Sequence, residues 1–237
     1  MKESPSRESH TETHASTAKA STALHAILWD LDGVLIDSEP GYYITIGNMM
    51  RSLGYPYGKK EAAKIAGTSF KNTAELLALD VPPHKVQQLY VQALMQGVQQ
   101  HVTGLIPGAA QFLESLNAKG VMLALGSSSP KQLVDYVVEK YGLATWLSAI
   151  VTGDDAANGK PSPEIYLKCA ALLRTPPAQC LVIEDSLNGI RSAKNAGMKV
   201  CAFTGTNHQK VDLSSADFSI DSYTNKTLAT VLQKMGL

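Results

Sequence analysis

The chain has 237 residues, enough for one large domain or for a core with a smaller insertion. Its 21 basic and 21 acidic side chains give a formal net charge of zero, which does not favour nucleic acid or an anionic membrane surface as a partner. No apolar run reaches the roughly 20 residues that a membrane-spanning helix needs.

Three cysteines, Cys169, Cys180 and Cys201, are isolated in the sequence and odd in number. This pattern argues against a disulfide framework and against a zinc site. The simplest interpretation is a reducing compartment, so we predict a cytoplasmic location.

Residues 1–22 are rich in Ser, Thr, His, Glu and Lys and show no apolar periodic face. Such a segment cannot repay the entropy lost on ordering, so we predict a flexible tail. It lacks the apolar centre of a signal peptide, and its glutamates are untypical of an organelle transit sequence.

An apolar run that begins at Ala26 leads into Asp30, Asp32 and Gly33. It predicts a buried parallel strand with two carboxylates at its carboxyl end, the edge where α/β sheets carry their sites. Side chains alternate along a strand, so Asp30 and Asp32 project to the same side. Two like charges this close need a counterion or a shared proton. The pair therefore indicates a metal site, or an ionised nucleophile beside a protonated acid.

Helical spacing of apolar residues extends from about Glu39 to His101, with further helical segments at about Thr73 to Leu79 and Pro83 to Gln100. No strand-like run interrupts this block. We predict a helical cap domain over 39–103, inserted into a core formed by 23–38 and 104–237.

From Pro107 onward, helical and strand patterns alternate, which is typical of an α/β fold with a parallel sheet. The predicted elements are a helix at Ala109 to Lys119, strands at Val121 to Leu125, Ala149 to Thr152, Cys180 to Ile183, Val200 to Phe203 and Phe218 to Ile220, and a closing helix at Thr224 to Met235.

Small polar residues follow the second predicted strand. Ser129 is predicted to cap the next helix, with Pro130 in its first turn. Amides and hydroxyls at this helix start, including those of Ser127 and Ser128, could receive phosphate oxygens. Taken alone, the serines favour an ordinary helix cap.

Lys160 lies between Gly and Pro just before a predicted helix start, where Ser162 is expected to cap and Pro163 to occupy the first turn. A lone lysine is usually solvated. At a strand-to-helix loop on the presumed active edge, however, a cation that points inward is a serious alternative.

The fourth predicted strand also ends in acids, Glu184 and Asp185. Asp185 or Ser186 could merely cap the next helix. Acids at the ends of two strands are harder to dismiss, because in a parallel sheet both ends point to one edge.

Together, Asp30, Asp32, Glu184 and Asp185 could hold four negative charges. A pair 4 Å apart repels by about 4 kcal/mol at an effective dielectric of 20, so a phosphate dianion could not enter unaided. A hard divalent cation such as Mg²⁺ resolves this, because it binds carboxylates together with phosphate oxygens. Lys160 supplies the remaining positive charge.

The run Asp30-Leu31-Asp32-Gly33-Val34, followed by Asp37-Ser38, Ser127, Lys160 and Glu184-Asp185, resembles the four ordered motifs of the haloacid dehalogenase superfamily. The resemblance covers about Ala26 to Asp221. Within the superfamily, the chain is similar to the phosphatase and sugar-phosphate mutase branch that carries a helical cap after the first motif. This implies a Rossmann-like parallel sheet with helices on both faces, plus an inserted all-helical cap.

The resemblance also implies roles. Asp30 would be the nucleophile that forms an aspartyl-phosphate, and Asp32 would be the general acid and then the base. Mg²⁺ would be held by Asp30, the backbone carbonyl of Asp32, Glu184 and Asp185. Ser127 and Lys160 would stabilise the phosphoryl oxygens, with Ser128 beside them.

Two alternatives remain at this point. β-Phosphoglucomutase relatives carry His, Lys and Arg where this chain has Tyr42, Ala66 and Phe70, although Lys71 lies next to the last position. We therefore favour a phosphatase, with water as the acceptor. A non-catalytic binding protein is the other alternative, but none of the motif acids is missing. Dehalogenases lack an acid at the position of Asp32, which therefore points to phosphate chemistry.

Residues of the cap are expected to select the substrate, which we predict to be a small phosphorylated metabolite such as a sugar phosphate. We expect a monomer, with neither nucleic acid nor a membrane as a partner. The candidate cap residues are Tyr42, Tyr43, Gly67, Thr68, Ser69 and Lys71.

Overall fold

The computed structural model describes residues 23–65, 73, 79–80, 82–207 and 210–237. In this part of the chain, six parallel strands form one sheet in the order β3-β2-β1-β4-β5-β6. The strands are β1 Ala26–Trp29, β2 Met122–Gly126, β3 Ala149–Val151, β4 Cys180–Glu184, β5 Lys199–Phe203 and β6 Phe218–Ile220.

Strand β1 lies at the centre of the sheet, and its register places Trp29 between Leu125 of β2 and Ile183 of β4. The strand order reverses here, because the chain runs outward to β2 and β3 on one side and to β4, β5 and β6 on the other. The crevice beyond such a reversal is where open α/β sheets bind their ligands. The residues that follow β1, β2 and β4 therefore converge at one place.

Eight α-helices accompany the sheet in the described residues. Three of them, α1 Glu39–Ser52, α2 Lys59–Ile65 and α3 Pro83–His101, lie between β1 and β2 in the chain. The other five are α4 Ala109–Ala118, α5 Lys131–Lys140, α6 Glu164–Leu172, α7 Leu187–Asn195 and α8 Asn225–Met235.

Helices cover both faces of the sheet, so there are two apolar cores, and successive side chains of β1 point into them alternately. Ile27 and Trp29 pack into a core that includes apolar residues of α4, α5 and α8, whereas Leu28 faces a second core with residues of α6 and α7. Each fully buried Leu or Ile contributes about 1.5–3 kcal/mol relative to exposure. The predicted fold class, a Rossmann-like parallel sheet with helices on both faces and helices inserted after β1, is confirmed.

Helices α1 and α3 pack closely through two glycines. A Cβ on Gly41 would lie 2.7 Å from the carbonyl oxygen of Gly97, and a Cβ on Gly97 would lie 2.9 Å from Tyr42 Cδ1. Only residues without a side chain allow the two backbones to approach this closely. The division of the chain into a cap over 39–103 and a two-part core remains our proposal.

Two predicted helix caps differ in the structure. Helix α5 starts one residue later than predicted, with Pro130 at its N-cap, and the amide of Lys131 is capped by Asp154 Oδ2 at 2.8 Å. The prediction that Ser129 caps this helix is therefore wrong. Helix α6 likewise has Pro163 at its N-cap rather than Ser162. Ser186 does cap α7, since its hydroxyl accepts from the Gly189 amide at 3.0 Å.

The predicted tail over 1–22 lies outside the described residues, as do 74–78 of the predicted helix at Thr73 to Leu79. Cys169, Cys180 and Cys201 are buried free thiols. Within the described ranges, each helix is too short or too polar to cross a bilayer.

Candidate active site

A buried ion triad forms the floor of the site at the end of β1. The ammonium of Lys160 donates to Asp30 Oδ1 at 2.5 Å and to Glu184 Oε1 at 2.6 Å. Tyr166 of α6 donates to the same Glu184 oxygen at 2.8 Å, and the centre of its ring lies 4.7 Å from the ammonium. Lys160 and Glu184 are both 0% exposed, so this lysine is the inward cation that the sequence left open.

Glu184 has a second role, through its other oxygen. Glu184 Oε2 accepts from the amides of Asp185 and Ser186 and from the Ser186 hydroxyl, each at 3.0 Å. Gly189 packs against this carboxylate, because a Cβ there would lie 1.7 Å from Oε1. Glu184 therefore ties Lys160 to the turn that presents Asp185.

The charges of this cluster do not cancel. Burial raises the pKa of Asp30, and Lys160 acts in the opposite direction. Burial also raises the pKa of Asp185 well above its usual range, helped by the nearby Glu184 and Asp30 carboxylates. Burial disfavours the Lys160 ammonium, but the two carboxylates outweigh this and raise its pKa. Three carboxylates face one ammonium, so a further cation is required when all are ionised.

The residues present fit a divalent metal ion. Asp30, Glu184 and Asp185 each offer an oxygen, and these oxygens lie within 4.8 Å of one another. Gly33 leaves room for this arrangement, because a Cβ there would lie 1.9 Å from Asp185 Oδ2. Its φ of +78° also favours glycine. Carboxylate oxygens are the ligands that Mg²⁺ prefers in proteins.

Asp32 lies beside this cluster and is held by hydroxyl groups from three segments. Ser38 and Tyr42 each donate to Asp32 Oδ1 at 2.7 Å, and Ser129 donates to Oδ2 at 2.5 Å. The loop that carries Asp32 is itself fixed, because Thr206 donates its hydroxyl hydrogen bond to the Gly33 carbonyl. Asp32 is therefore restrained in one orientation above the sheet edge.

The serines that follow β2 have different positions. Ser127 is fully buried, and its hydroxyl accepts from the Ser129 amide at 3.0 Å. Ser128 and Ser129 line the cavity. Ser129, which was predicted only as a helix cap, thus bonds the candidate general acid.

A cavity of about 1200 Å³, including space open to solvent, lies between the inserted helices and the sheet edge. Asp30, Asp32, Asp185, Ser128 and Tyr42 all line it. Lys160 lies directly against Asp30 and Glu184, and Ser127 lies behind Ser129. The structure thus brings all the predicted core residues together. Four predicted cap residues, Gly67, Thr68, Ser69 and Lys71, lie outside the described residues.

The sequence reasoning missed Tyr166 and the partners of Asp32. Tyr166 lies in the first turn of α6, after Lys160 in the chain, and its spacing suggests only a buried helix face. Ser38 belongs to the first motif, but nothing in the sequence pairs it with Asp32. The sequence suggests Tyr42 as a substrate contact, whereas in the structure its hydroxyl donates a hydrogen bond to Asp32.

Comparison with known protein families matches residues 27–203 to a family described as haloacid dehalogenase-like hydrolase. The chain belongs to this family. The matched residues run from β1 to the end of β5 and include Asp30, Asp32, Lys160, Glu184 and Asp185. The resemblance drawn from the four motifs is confirmed.

Among the curated members of the family, the chain is 34% identical over 218 residues to a bifunctional riboflavin kinase/FMN phosphatase from Arabidopsis thaliana. The match covers 89% of this chain and 55% of that protein, so the chain spans little more than half the relative's length. It is 29% identical over 179 residues to a phosphorylated carbohydrates phosphatase from Thermotoga maritima, covering 74% and 83% of the two chains.

A solved β-phosphoglucomutase from Clostridium difficile superposes with a TM-score of 0.78. It is 21% identical and covers 90% of this chain and 97% of that chain, a likeness that shows the shared fold alone. Both of these curated relatives are named for a phosphatase activity, which supports a phosphoric monoester hydrolase of the haloacid dehalogenase type.

Proposed function

We propose that this chain is a Mg²⁺-dependent phosphatase that hydrolyses a small phosphorylated metabolite through an aspartyl-phosphate on Asp30. The observation that carries this proposal is the ion triad, in which Lys160 Nζ bridges Asp30 and Glu184 at 2.5 and 2.6 Å. A buried carboxylate at the sheet edge, with a fixed cation against it and an acid beside it, suits nucleophilic attack on phosphorus.

In the first step, a carboxylate oxygen of Asp30 attacks phosphorus, and the bond from phosphorus to the leaving oxygen breaks. The proton of Asp32 passes to that oxygen, so the alcohol leaves in neutral form. In the second step, Asp32 takes a proton from water, which attacks phosphorus. The acyl-phosphate bond then breaks and returns Asp30 and inorganic phosphate.

Asp30, Asp185 and Glu184 would hold the metal ion, together with the backbone carbonyl of Asp32 that the family resemblance implies. When bound, Mg²⁺ supplies positive charge that offsets the phosphoryl oxygens and the carboxylates. Lys160 adds a second positive charge on the nucleophile's side. Ser127 and Ser128, at the start of the segment leading to α5, are the candidates for orienting the phosphoryl group.

The alternative activity is that of a sugar-phosphate mutase, which would require a second phosphate to be gripped by the cap. Position 42 is Tyr rather than the His of the mutase pattern, and its hydroxyl bonds Asp32. Water is therefore the acceptor that we propose. The activities named for the two curated relatives make a carbohydrate phosphate and FMN the candidate substrates.

We also propose a cytoplasmic location, which the three free, buried thiols support. The monomeric state stays a prediction.

Release of phosphate from p-nitrophenyl phosphate, with Mg²⁺ and then with a chelator, tests the proposal. We expect turnover only with the metal, loss of turnover in Asp30→Asn, and no loss in Asp135→Asn, a surface acid paired with Lys131. Mass spectrometry of the acid-quenched enzyme should find one phosphoryl group on Asp30.

Two outcomes would contradict the proposal. An absence of metal-dependent release would favour a non-catalytic binding protein. Faster accumulation of an isomer than of free phosphate, from a sugar 1-phosphate with a bisphosphate activator, would favour the mutase.

A further inference from the structure

The side of the cavity formed by the inserted helices is apolar and aromatic. Its residues come from α1, from the segment between α1 and α2, and from α2 and α3. They are Tyr43, Ile46, Tyr57, Ile65, Tyr90 and Leu94.

Tyr57 and Tyr90 of this wall remain uncharged near neutral pH. Burial raises the pKa of Tyr90 to about 12 and, together with neighbouring tyrosines, raises the pKa of Tyr57 above its usual range. The rings of Tyr43 and Tyr57 lie side by side, with centroids 5.8 Å apart and planes 44° apart. Tyr43 is 41% exposed, so part of this aromatic surface is free to contact a ligand.

Among the described lining residues, the charged side chains are all acids, and one of them lies away from the phosphoryl site. Glu39, at the start of α1, lines the cavity together with Asp30, Asp32 and Asp185. Among the described lining residues there is no Lys, Arg or His. A second phosphate or a carboxylate on the substrate would therefore meet an acid and neutral rings, without a cation from these residues to balance it.

We infer that the leaving group of the substrate carries an uncharged, flat ring system, which packs against the wall formed by Tyr43, Tyr57 and Tyr90. This inference rests on the proposed phosphatase activity and specifies its substrate class. The substrate is a single phosphate ester whose phosphate reaches Asp30 while its ring lies under the inserted helices. Flat rings suit such a wall because aromatic pairs add to the free energy of apolar burial.

The decisive measurement compares two substrates that differ only in the ring. FMN is ribitol 5-phosphate joined to a tricyclic flavin, so the reacting phosphate and the polyol chain are the same in both. We expect kcat/KM for FMN to exceed that for ribitol 5-phosphate by about tenfold or more, mainly through KM. Fructose 1,6-bisphosphate, which adds a second phosphate, should be a poorer substrate than either.

A pair of variants locates the effect. Tyr57→Ala removes part of the wall and should raise KM for FMN by about fivefold or more while changing that for ribitol 5-phosphate much less. Tyr55→Ala makes the same change two residues away, at a side chain that does not line the cavity, and should keep the wild-type ratio of the two substrates. Thermal unfolding of both variants checks that they remain folded at the assay temperature.

Failure of this inference is distinct from failure of the proposed function. If ribitol 5-phosphate or the bisphosphate is hydrolysed as efficiently as FMN by the wild-type enzyme, the inference is overturned and the phosphatase stands. If none of these esters nor p-nitrophenyl phosphate releases phosphate with Mg²⁺, the proposed function itself is overturned.

Discussion

The phenol of Tyr42 donates a hydrogen bond of 2.7 Å to Asp32 Oδ1. Tyr42 belongs to the first inserted helix, whereas Asp32 belongs to the loop that follows the central strand. Burial and the adjacent Asp32 raise the pKa of Tyr42 well above its usual range, so the phenol stays a donor. An inserted helix thus directly orients the candidate general acid.

Tyr42→Phe should impair proton donation by Asp32. A hydrogen bond to a charged group contributes about 1.5–3 kcal/mol, so we expect kcat for alkyl phosphates to fall by about tenfold or more. The loss should be smaller with p-nitrophenyl phosphate, because nitrophenolate leaves without a proton. Tyr43→Phe, which removes a hydroxyl from the neighbouring residue, is the matched control. Equal losses on both kinds of ester would contradict this role.

Lys160→Met should destabilise the protein as well as inactivate it. The substitution leaves Asp30 and Glu184 buried without their cation, and breaking a buried ion pair in this way costs about 3–5 kcal/mol. Urea unfolding measures the loss. The double variant Lys160→Met with Glu184→Gln should recover part of the stability while staying inactive. A loss below about 1 kcal/mol in the single variant would argue against the triad.

Gly33→Ala should weaken metal binding, whereas Gly54→Ala should not. Gly33 and Gly54 both have positive φ, at +78° and +82°, so alanine at either position costs about 1–2 kcal/mol. At Gly33, however, the added Cβ meets Asp185 Oδ2 at 1.9 Å, whereas nothing lies within 4 Å at Gly54. We expect the Mg²⁺ concentration for half-maximal activity to rise about tenfold or more in Gly33→Ala. Gly54→Ala should retain the wild-type value, and a similar rise in both variants would contradict the role of the Asp185 contact.

Glu164 should stabilise the loop before Lys160 only while it is ionised. Its carboxylate accepts from the amides of Ala157 and Asn158, each at 2.9 Å, and pairs with Lys168. Lys168 and then the two amides lower the pKa of Glu164 to about 2. Because the folded pKa lies below the unfolded one, this contribution is full at neutral pH and is lost as the pH falls from about 4.5 toward 2.

The thermal midpoint of Glu164→Gln should therefore lie below that of the wild type at pH 7, and the two midpoints should converge as the pH falls from about 4.5 toward 2. Glu114→Gln, at an exposed position of α4, serves as the control. A difference that does not change with pH would rule out the ionised carboxylate as its source.

The sequence was sufficient for those parts of the site that lie at strand ends. The strands before Asp30 and Asp185, and the helix after Lys160, can each be recognised from neighbouring residues in the sequence. Parallel strands bring their carboxyl ends to one edge of the sheet, so these three residues are expected to lie near one another. The fold class followed from the same alternation of strand and helix. The fixed order of the four family motifs along the chain supported this prediction more strongly than any single residue could.

Other contacts depend on packing that sequence periods do not determine. Whether Tyr166 points at Glu184 or into the core depends on how α6 is rotated against the sheet. The sequence predicts Ser129 as the cap of α5. In the structure Pro130 is the N-cap residue, and the Ser129 hydroxyl donates to Asp32 instead. The hydrogen bond between Ser129 and Asp32 joins residues 97 positions apart, so local patterns cannot predict it.

The contact between Gly41 and Gly97 ties reactivity to the spacing of two helix axes. Since Tyr42 follows Gly41 directly, a methyl group at either glycine would wedge α1 away from α3 and carry the phenol away from Asp32. A change far from phosphorus would then slow proton transfer while the ion triad stayed intact. Among the positions of the inserted helices, we therefore expect substitutions to be tolerated least at these two glycines.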